Sequence, residues 1–174
     1  PADILTRGGV ELNIISISDS LKVTSAQRIS VNAEFTLADF PLEDIRKEDV
    51  MIFPGGMPGS TNLAACTPLT DCMKKHYKEG GTVAAICAAP AVVLSLLPLE
   101  DTVRSKGGLR MTCYAGFEPY LTAKGVTVVD QRQGVVADSG IISASGAGYA
   151  VEFGLKILEH IAGSDAAHAI AKAI

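Results

Sequence analysis

The sequence predicts an α/β protein with a mostly parallel sheet, and three features of the chain carry that expectation. Short runs rich in Val and Ile recur at residues 10–17, 50–53, 82–86, 126–129 and 141–143, a composition that suits a pleated, half-buried backbone. Several of them, Met51-Ile52-Phe53 above all, are apolar at successive positions instead of alternating. A strand needs that only when helices cover both faces of its sheet. Between the runs lie stretches with a single apolar face at helical spacing. Strands alternating with helices form a layered sandwich, with right-handed crossovers between parallel neighbours.

Taken in order, residues 1–7 predict a short helix that passes through Gly8-Gly9 into the first run. A βαβ unit ordinarily places a strand ahead of such a helix, so the pattern predicts that one strand is absent from this sequence. Residues 23–31, around a turn at Thr24-Ser25, predict a small hairpin. Residues 68–78 put Leu69, Cys72, Met73, His76 and Tyr77 on one helical face, with Thr67 as N-cap and Pro68 in the first turn. Residues 149–162 do the same with Ala150, Phe153, Gly154, Ile157, Leu158 and Ile161. No internal repeat, low-complexity tract or linker divides the chain, and 174 residues suit one domain.

Composition excludes several classes of function. Lys+Arg 15 against Asp+Glu 19 gives a net charge of −4, and no window gathers the basic residues needed to track a phosphate backbone, so no nucleic-acid partner is expected. The longest apolar stretch, residues 84–99, contains two prolines, Cys87 and Ser95 and falls short of the ~20 apolar residues of a bilayer span. No membrane association is expected. Four cysteines, Cys66, Cys72, Cys87 and Cys113, in a chain this long do not resemble a secreted disulfide framework. No secretory signal follows the opening Pro1-Ala2-Asp3, and reduced thiols in a cytoplasmic setting are the expectation. An organelle-targeting segment cleaved upstream would leave no trace here.

The sharpest chemical signal is Val83-Ala84-Ala85-Ile86-Cys87-Ala88-Ala89-Pro90 followed by further apolar residues. An apolar strand ends at Cys87 and a helix begins at once, because proline is tolerated in a first helical turn. This is a nucleophile-elbow layout, with Ala85 and Ala89 where small residues are required. Unpaired N–H groups at a helix start favour an anion and so lower a cysteine's pKa. Cys87 therefore reads as a nucleophile or an oxidation sensor, against the alternative of a buried cysteine that only packs. A second loop, Pro54-Gly55-Gly56-Met57-Pro58-Gly59, follows the apolar run ending at Phe53. It too belongs at a carboxyl edge of the sheet. Backbone N–H groups of Gly55, Gly56 and Ala88 are the candidate oxyanion donors. A phosphate-cradling loop is disfavoured, since the Gly-Lys-Ser/Thr ending is lacking.

Other candidates carry less. Cys72 and His76 at i and i+4 share an apolar stripe, which favours packing over metal ligation. Cys113 and Tyr114 are candidate pocket residues, Cys113 as a thiol that could resolve an oxidised Cys87. Cys66 reads as structural, His160 and His168 as solvated, and Glu152 with Lys156 as an i, i+4 pair. Arg28 is a candidate for binding an anionic substrate group, against the more ordinary reading of a solvated arginine.

At Pro54-Gly55-Gly56 and Ala84-Ala85-Ile86-Cys87-Ala88-Ala89-Pro90, and again at Arg110-Met111-Thr112 and Ser145-Gly146-Ala147-Gly148, the chain resembles the DJ-1/ThiJ/PfpI superfamily in its DJ-1/YajL-like branch. The resemblance implies a flavodoxin-like three-layer sandwich, a homodimer, and a reactive cysteine at Cys87 that oxidises to the sulfinic acid. It implies a cofactor-free activity of the glyoxalase III or deglycase kind on small aldehydes or glycated substrates, or a redox-sensing or chaperone role. Two departures accompany it. In the family a glutamate just before the segment matching Pro1 hydrogen-bonds the reactive sulfur, and a central first strand precedes that glutamate. Both are expected to be missing here, as about 20 N-terminal residues removed or present as a separate fragment, a length scaled to one strand and its turn. Tyr114 stands near where DJ-1 itself carries a histidine close to the cysteine.

Overall fold

A computed structural model describes residues 1–174. Its strands are β1 (Ile15–Ser16), β2 (Lys22–Thr24), β3 (Ser30–Asn32), β4 (Phe35–Thr36), β5 (Val50–Phe53), β6 (Thr82–Ile86), β7 (Arg110–Met111), β8 (Thr127–Val128), β9 (Val135–Asp138) and β10 (Ile141–Ala144). Its α-helices are α1 (Ala2–Arg7), α2 (Gly59–Ala65), α3 (Thr67–Lys78), α4 (Ala89–Val92), α5 (Leu99–Lys106), α6 (Glu118–Thr122), α7 (Ala150–Ala162) and α8 (Ser164–Ala173). None is long and apolar enough to cross a membrane.

The main sheet has the order β5-β6-β10-β9. β5 and β10 run parallel to β6, and β9 is antiparallel to β10. Successive side chains of β6 point to opposite faces. Val83 and Ala85 join Phe53, Leu69, Met73, Leu94 and Ile141 in one apolar cluster. Ala84 joins Ile4, Leu5, Ile142, Phe153, Ile157 and Leu158 in the other. Helices on both faces thus explain why these strands are apolar at consecutive positions, and the expected mixed α/β class with mostly parallel pairing holds.

Several boundaries differ from the sequence reading. The run at residues 10–17 is strand only over Ile15–Ser16, because its single hydrogen-bonded neighbour is the two-residue β4. β4, β7 and β9 are strands that composition did not mark. The hairpin forms as β2 paired with β3, and its turn falls at residues 25–29, later than Thr24-Ser25. Thr67 is the first residue of α3 and makes no cap bond, with Cys66 at the N-cap. Lys156 pairs with Glu159 and not with Glu152: both carboxylates neighbour it on the helix surface, and one ammonium takes the later of them. His160 is tied down rather than merely solvated, its Nε2 lying 2.9 Å from Thr82 Oγ1.

β1 and β5 each lack a strand on their second edge, and both line one cavity of about 850 Å³. Val10, Leu12, Ile15 and Ile17 contribute to its lining from one segment and Val50, Met51, Ile52 and Phe53 from the other. A sheet edge carries unused backbone donors and acceptors, so the cavity combines an apolar lining with strand-pairing capacity.

Away from the cavity, His76 anchors α3 to the sheet. Its Nε2 lies 3.1 Å from the Asp49 carbonyl and 3.2 Å from that of Thr82, so an N–H there donates to both. Gly81 makes room for the ring, since a Cβ at that position would stand 2.2–2.5 Å from three ring atoms. Gly81→Ala is therefore expected to destabilise the fold by ~1–3 kcal/mol, the usual cost of overpacking. Urea denaturation measures it; unchanged stability would show that the ring moves freely.

Candidate active site

β6 ends at Ile86, and the chain turns at Cys87 with φ +66°. That left-handed conformation costs a non-glycine residue about 1–2 kcal/mol. It persists because both sides of the residue are held: the Cys87 N–H donates to the Ala144 carbonyl at 2.8 Å, and the Cys87 carbonyl accepts from the Tyr114 N–H at 2.8 Å. α4 follows immediately, with Pro90 in its first turn. The strand-to-helix elbow is thus present, and Cys87 is half-buried rather than sealed among hydrocarbon. α4 is shorter than the apolar run suggested. It gives way to a 3-10 turn at Leu94–Leu96 ahead of Pro98, which disfavours helix in the residue before it. The aligned peptide dipoles behind Cys87 are therefore those of a single turn.

The glycine loop packs directly on the elbow. β5 lies beside β6 with Phe53 opposite Ala85, so Pro54-Gly55-Gly56 emerges at the edge where Cys87 turns. A Cβ on Gly55 would stand 2.6 Å from Cys87 Cβ and 2.6 Å from the Ile86 carbonyl oxygen, and 3.3 Å from Cys87 Sγ. Only hydrogen fits. Gly56 has φ +92°, which glycine alone adopts without cost. The N–H groups of Gly55, Gly56 and Ala88 take no part in any backbone hydrogen bond of the turns and loops. Three unused donors therefore sit on the two loops that meet at this turn, which suits them to receive negative charge.

Cys113 is fully buried. Burial, reinforced by the negative charge of Glu118 and then that of Cys87, pushes its thiol up to about 12. It is therefore a protonated, weakly nucleophilic thiol at neutral pH, which counts against a resolving role. Burial also pushes the Cys72 thiol up, and its sulfur faces the Leu42 carbonyl at 3.9 Å. The Tyr114 ring is half-exposed at the rim of the turn, with Cδ2 at 3.7 Å from where a Gly146 Cβ would stand. Arg28 lies on the exposed turn between β2 and β3 with φ +63°, and no hydrogen bond or ion pair joins it to the Cys87 turn within the chain. Sequence reasoning passed over Phe117 and Tyr120, which continue from Tyr114 as an aromatic row. The three-residue spacing 114, 117, 120 was the available signal.

This geometry defines an α/β protein with a cysteine at a strand-to-helix elbow, held against a glycine loop. The DJ-1/PfpI family model matches residues 1–160, and the chain belongs to that family. It is 31% identical over 173 residues to protein dj-1beta of Drosophila melanogaster, covering 99% of this chain and 86% of that protein. It is also 31% identical over 173 residues to a protein of Caenorhabditis elegans named glutathione-independent glyoxalase DJR-1.2, covering 98% and 83% respectively. Among solved structures, oxidised Toxoplasma gondii DJ-1 matches with a TM-score of 0.83 at 28% identity, over 99% of this chain and 86% of that one. Drosophila melanogaster DJ-1beta matches with a TM-score of 0.83 at 29% identity over the same shares.

Proposed function

We propose that the protein detoxifies small α-oxoaldehydes such as methylglyoxal, or removes them from glycated groups, through a Cys87 thiolate. The carrying observation is the half-buried Cys87 at φ +66° beside three unused N–H donors. The thiolate attacks the aldehyde carbon to form a C–S bond, and the carbonyl electron pair becomes an oxyanion facing Gly55, Gly56 and Ala88. Transfer of the C1 hydrogen to C2 as a proton, through an enediol, converts the hemithioacetal to a thioester of lactate. Water then cleaves the C–S bond, releasing lactate and the thiol, so methylglyoxal plus water gives lactate with no redox cofactor. The name of the Caenorhabditis elegans relative supports this class. The family resemblance gives the proton transfers to a glutamate outside the matched segment. No carboxylate of residues 1–174 hydrogen-bonds at the Cys87 turn, so turnover by these residues alone is expected to be slow, since a positioned acid/base contributes roughly 10²–10⁴-fold. Lactate formation by the protein and its Cys87→Ser variant is the test.

A second reading is favoured by the contrast between the cysteines. Cys87 is partly accessible, whereas Cys113 is sealed and protonated. Peroxide would oxidise the Cys87 thiolate to sulfenate and then sulfinate, releasing one water from each equivalent. Peptide mass mapping after mild peroxide at pH 7–8 is expected to show two added oxygens at Cys87 and none at Cys113. Equal oxidation of both would remove the sensor reading.

The fold reading is flavodoxin-like, with an apolar strand seated in the cavity between β1 and β5; the two open edges and the apolar lining support it. An uncharged, β-branched peptide of about five residues, the ordinary strand length, is expected to raise Tm by mass action. A central proline in that peptide, which removes a backbone donor, is expected to abolish the effect. No shift with either peptide would contradict strand seating. A homodimer is the proposed assembly, supported by the exposed apolar residues Leu21, Val23, Ile29 and Val31 in and beside the β2–β3 hairpin.

A further inference from the structure

The cavity between β1 and β5 is apolar along most of its length and charged at one end. Leu5 and Ile161 line it from the side of α1 and α7, and Leu63 and Leu69 from the side of α2 and α3. A strand seated there is covered on both faces, which calls for apolar residues at successive positions. The charged residues of the lining all precede the strand on their own side: Glu11 stands ahead of β1, and Asp44, Arg46, Glu48 and Asp49 stand ahead of β5. No charged side chain lines the cavity over residues 12–17 or 50–54.

These charges share one end of the cavity. The Arg46 guanidinium is held above its ordinary value by Asp49 first, through a hydrogen bond and its charge, and then by the charges of Glu48 and Glu11. Glu11 and Glu48 come from opposite walls, so the amino ends of both open edges lie together and the two edges run in the same direction. Arg46 is already committed to Asp49, with its backbone N–H 2.8 Å from one carboxylate oxygen and Nη2 2.9 Å from the other. No ion pair of the chain includes Glu11, Asp44 or Glu48. Unpaired carboxylates at one mouth of an apolar groove select an occupant with a cation at that end.

We infer that the cavity takes a peptide strand of one polarity: parallel to β1 and β5, apolar over about five residues, and led at its amino end by lysine or arginine facing Glu11 and Glu48. The inference rests on the strand-seating reading and adds to it the direction and charge of the occupant. Parallel pairing continues the pattern of β5, β6 and β10 and engages the unused backbone groups of both edges. An antiparallel strand of the same sequence would carry its cation to the other end, beside Ile17 and Phe53, where no carboxylate lines the cavity to receive it.

The test is a calorimetric titration of the protein at low salt with two peptides of one composition, acetyl-Lys-Lys-Thr-Val-Ile-Val-Thr-amide and acetyl-Thr-Val-Ile-Val-Thr-Lys-Lys-amide. The peptide led by lysine is expected to bind about 3- to 10-fold more tightly, the scale of two exposed ion pairs. Salt at roughly 1 M, where charges act over only about 3 Å, is expected to remove the difference. A double variant, Glu11→Gln with Glu48→Gln, is expected to bind both peptides alike, with circular dichroism confirming that it folds. A nitroxide on the first lysine is expected to broaden the amide signals of residues 11 and 48 more than those of residues 17 and 53. Equal affinity of the two peptides, tighter binding of the peptide ending in lysine, or a preference that survives the double substitution would overturn the assigned polarity while strand seating stands. Binding of neither peptide would overturn strand seating and this inference together.

Discussion

Cys87→Ser is expected to lower lactate formation from methylglyoxal by on the order of 10²–10⁴-fold, the range typical of removing one positioned catalytic group. The substitution keeps the size and hydrogen-bonding character of the side chain, so Cys87's φ of +66° and its two 2.8 Å backbone bonds should survive. What changes is nucleophilicity. Sulfur is intrinsically far more nucleophilic than a hydroxyl oxygen, and no hydrogen bond brings a general base to this position to activate serine. The variant should therefore fold with a Tm close to that of the parent while failing in the assay. Equal rates for the two proteins would remove the sulfur from the mechanism.

Gly55→Ala is expected to damage both stability and activity. The new methyl group would meet Cys87 Cβ and the Ile86 carbonyl oxygen at 2.6 Å. Neither atom is the far end of a flexible side chain, so the glycine loop and the elbow must move apart. Overpacking of this kind costs about 1–3 kcal/mol. A displacement approaching 1 Å between nucleophile and oxyanion donors costs on the order of 10²-fold in rate. Denaturant unfolding and the lactate assay together check this. A fully active, fully stable Gly55→Ala protein would mean that the two loops are not held in the close contact described. Gly59, which opens α2 just after that loop, has nothing within 4 Å of its Cβ position and serves as the comparison: Gly59→Ala should leave both quantities nearly unchanged.

Much of the architecture was legible because burial on two faces leaves a direct mark on composition. Met51-Ile52-Phe53 and residues 82–86 could be assigned to a covered parallel sheet for that reason, and Cys87 could be placed at an elbow from the strand before it and Pro90 after it. The strands that escaped notice are those whose identity depends on a neighbour. Arg110–Met111 and Phe35–Thr36 are two residues each, and at that length pairing rather than propensity decides. Val135–Asp138 is strand because it lies antiparallel to β10. The brevity of α4 was likewise hidden, since apolar residues continue past Val92 whether the backbone is α-helical or 3-10. At the site, the motif pointed to Gly55 and Gly56 but not to their separate tasks: Gly55 makes the close approach, and Gly56 takes the positive φ.

The proposed chemistry requires that the Cys87 sulfur, and no other in the chain, meets the carbonyl substrate. The direct measurement is the rate of carbamidomethylation at each of the four cysteines, followed by peptide mass mapping with and without saturating methylglyoxal. Methylglyoxal is expected to slow alkylation of Cys87 selectively, while Cys113 stays unmodified throughout because it is buried and protonated. An alkylation rate at Cys87 that methylglyoxal leaves unchanged would rule out attack by this sulfur.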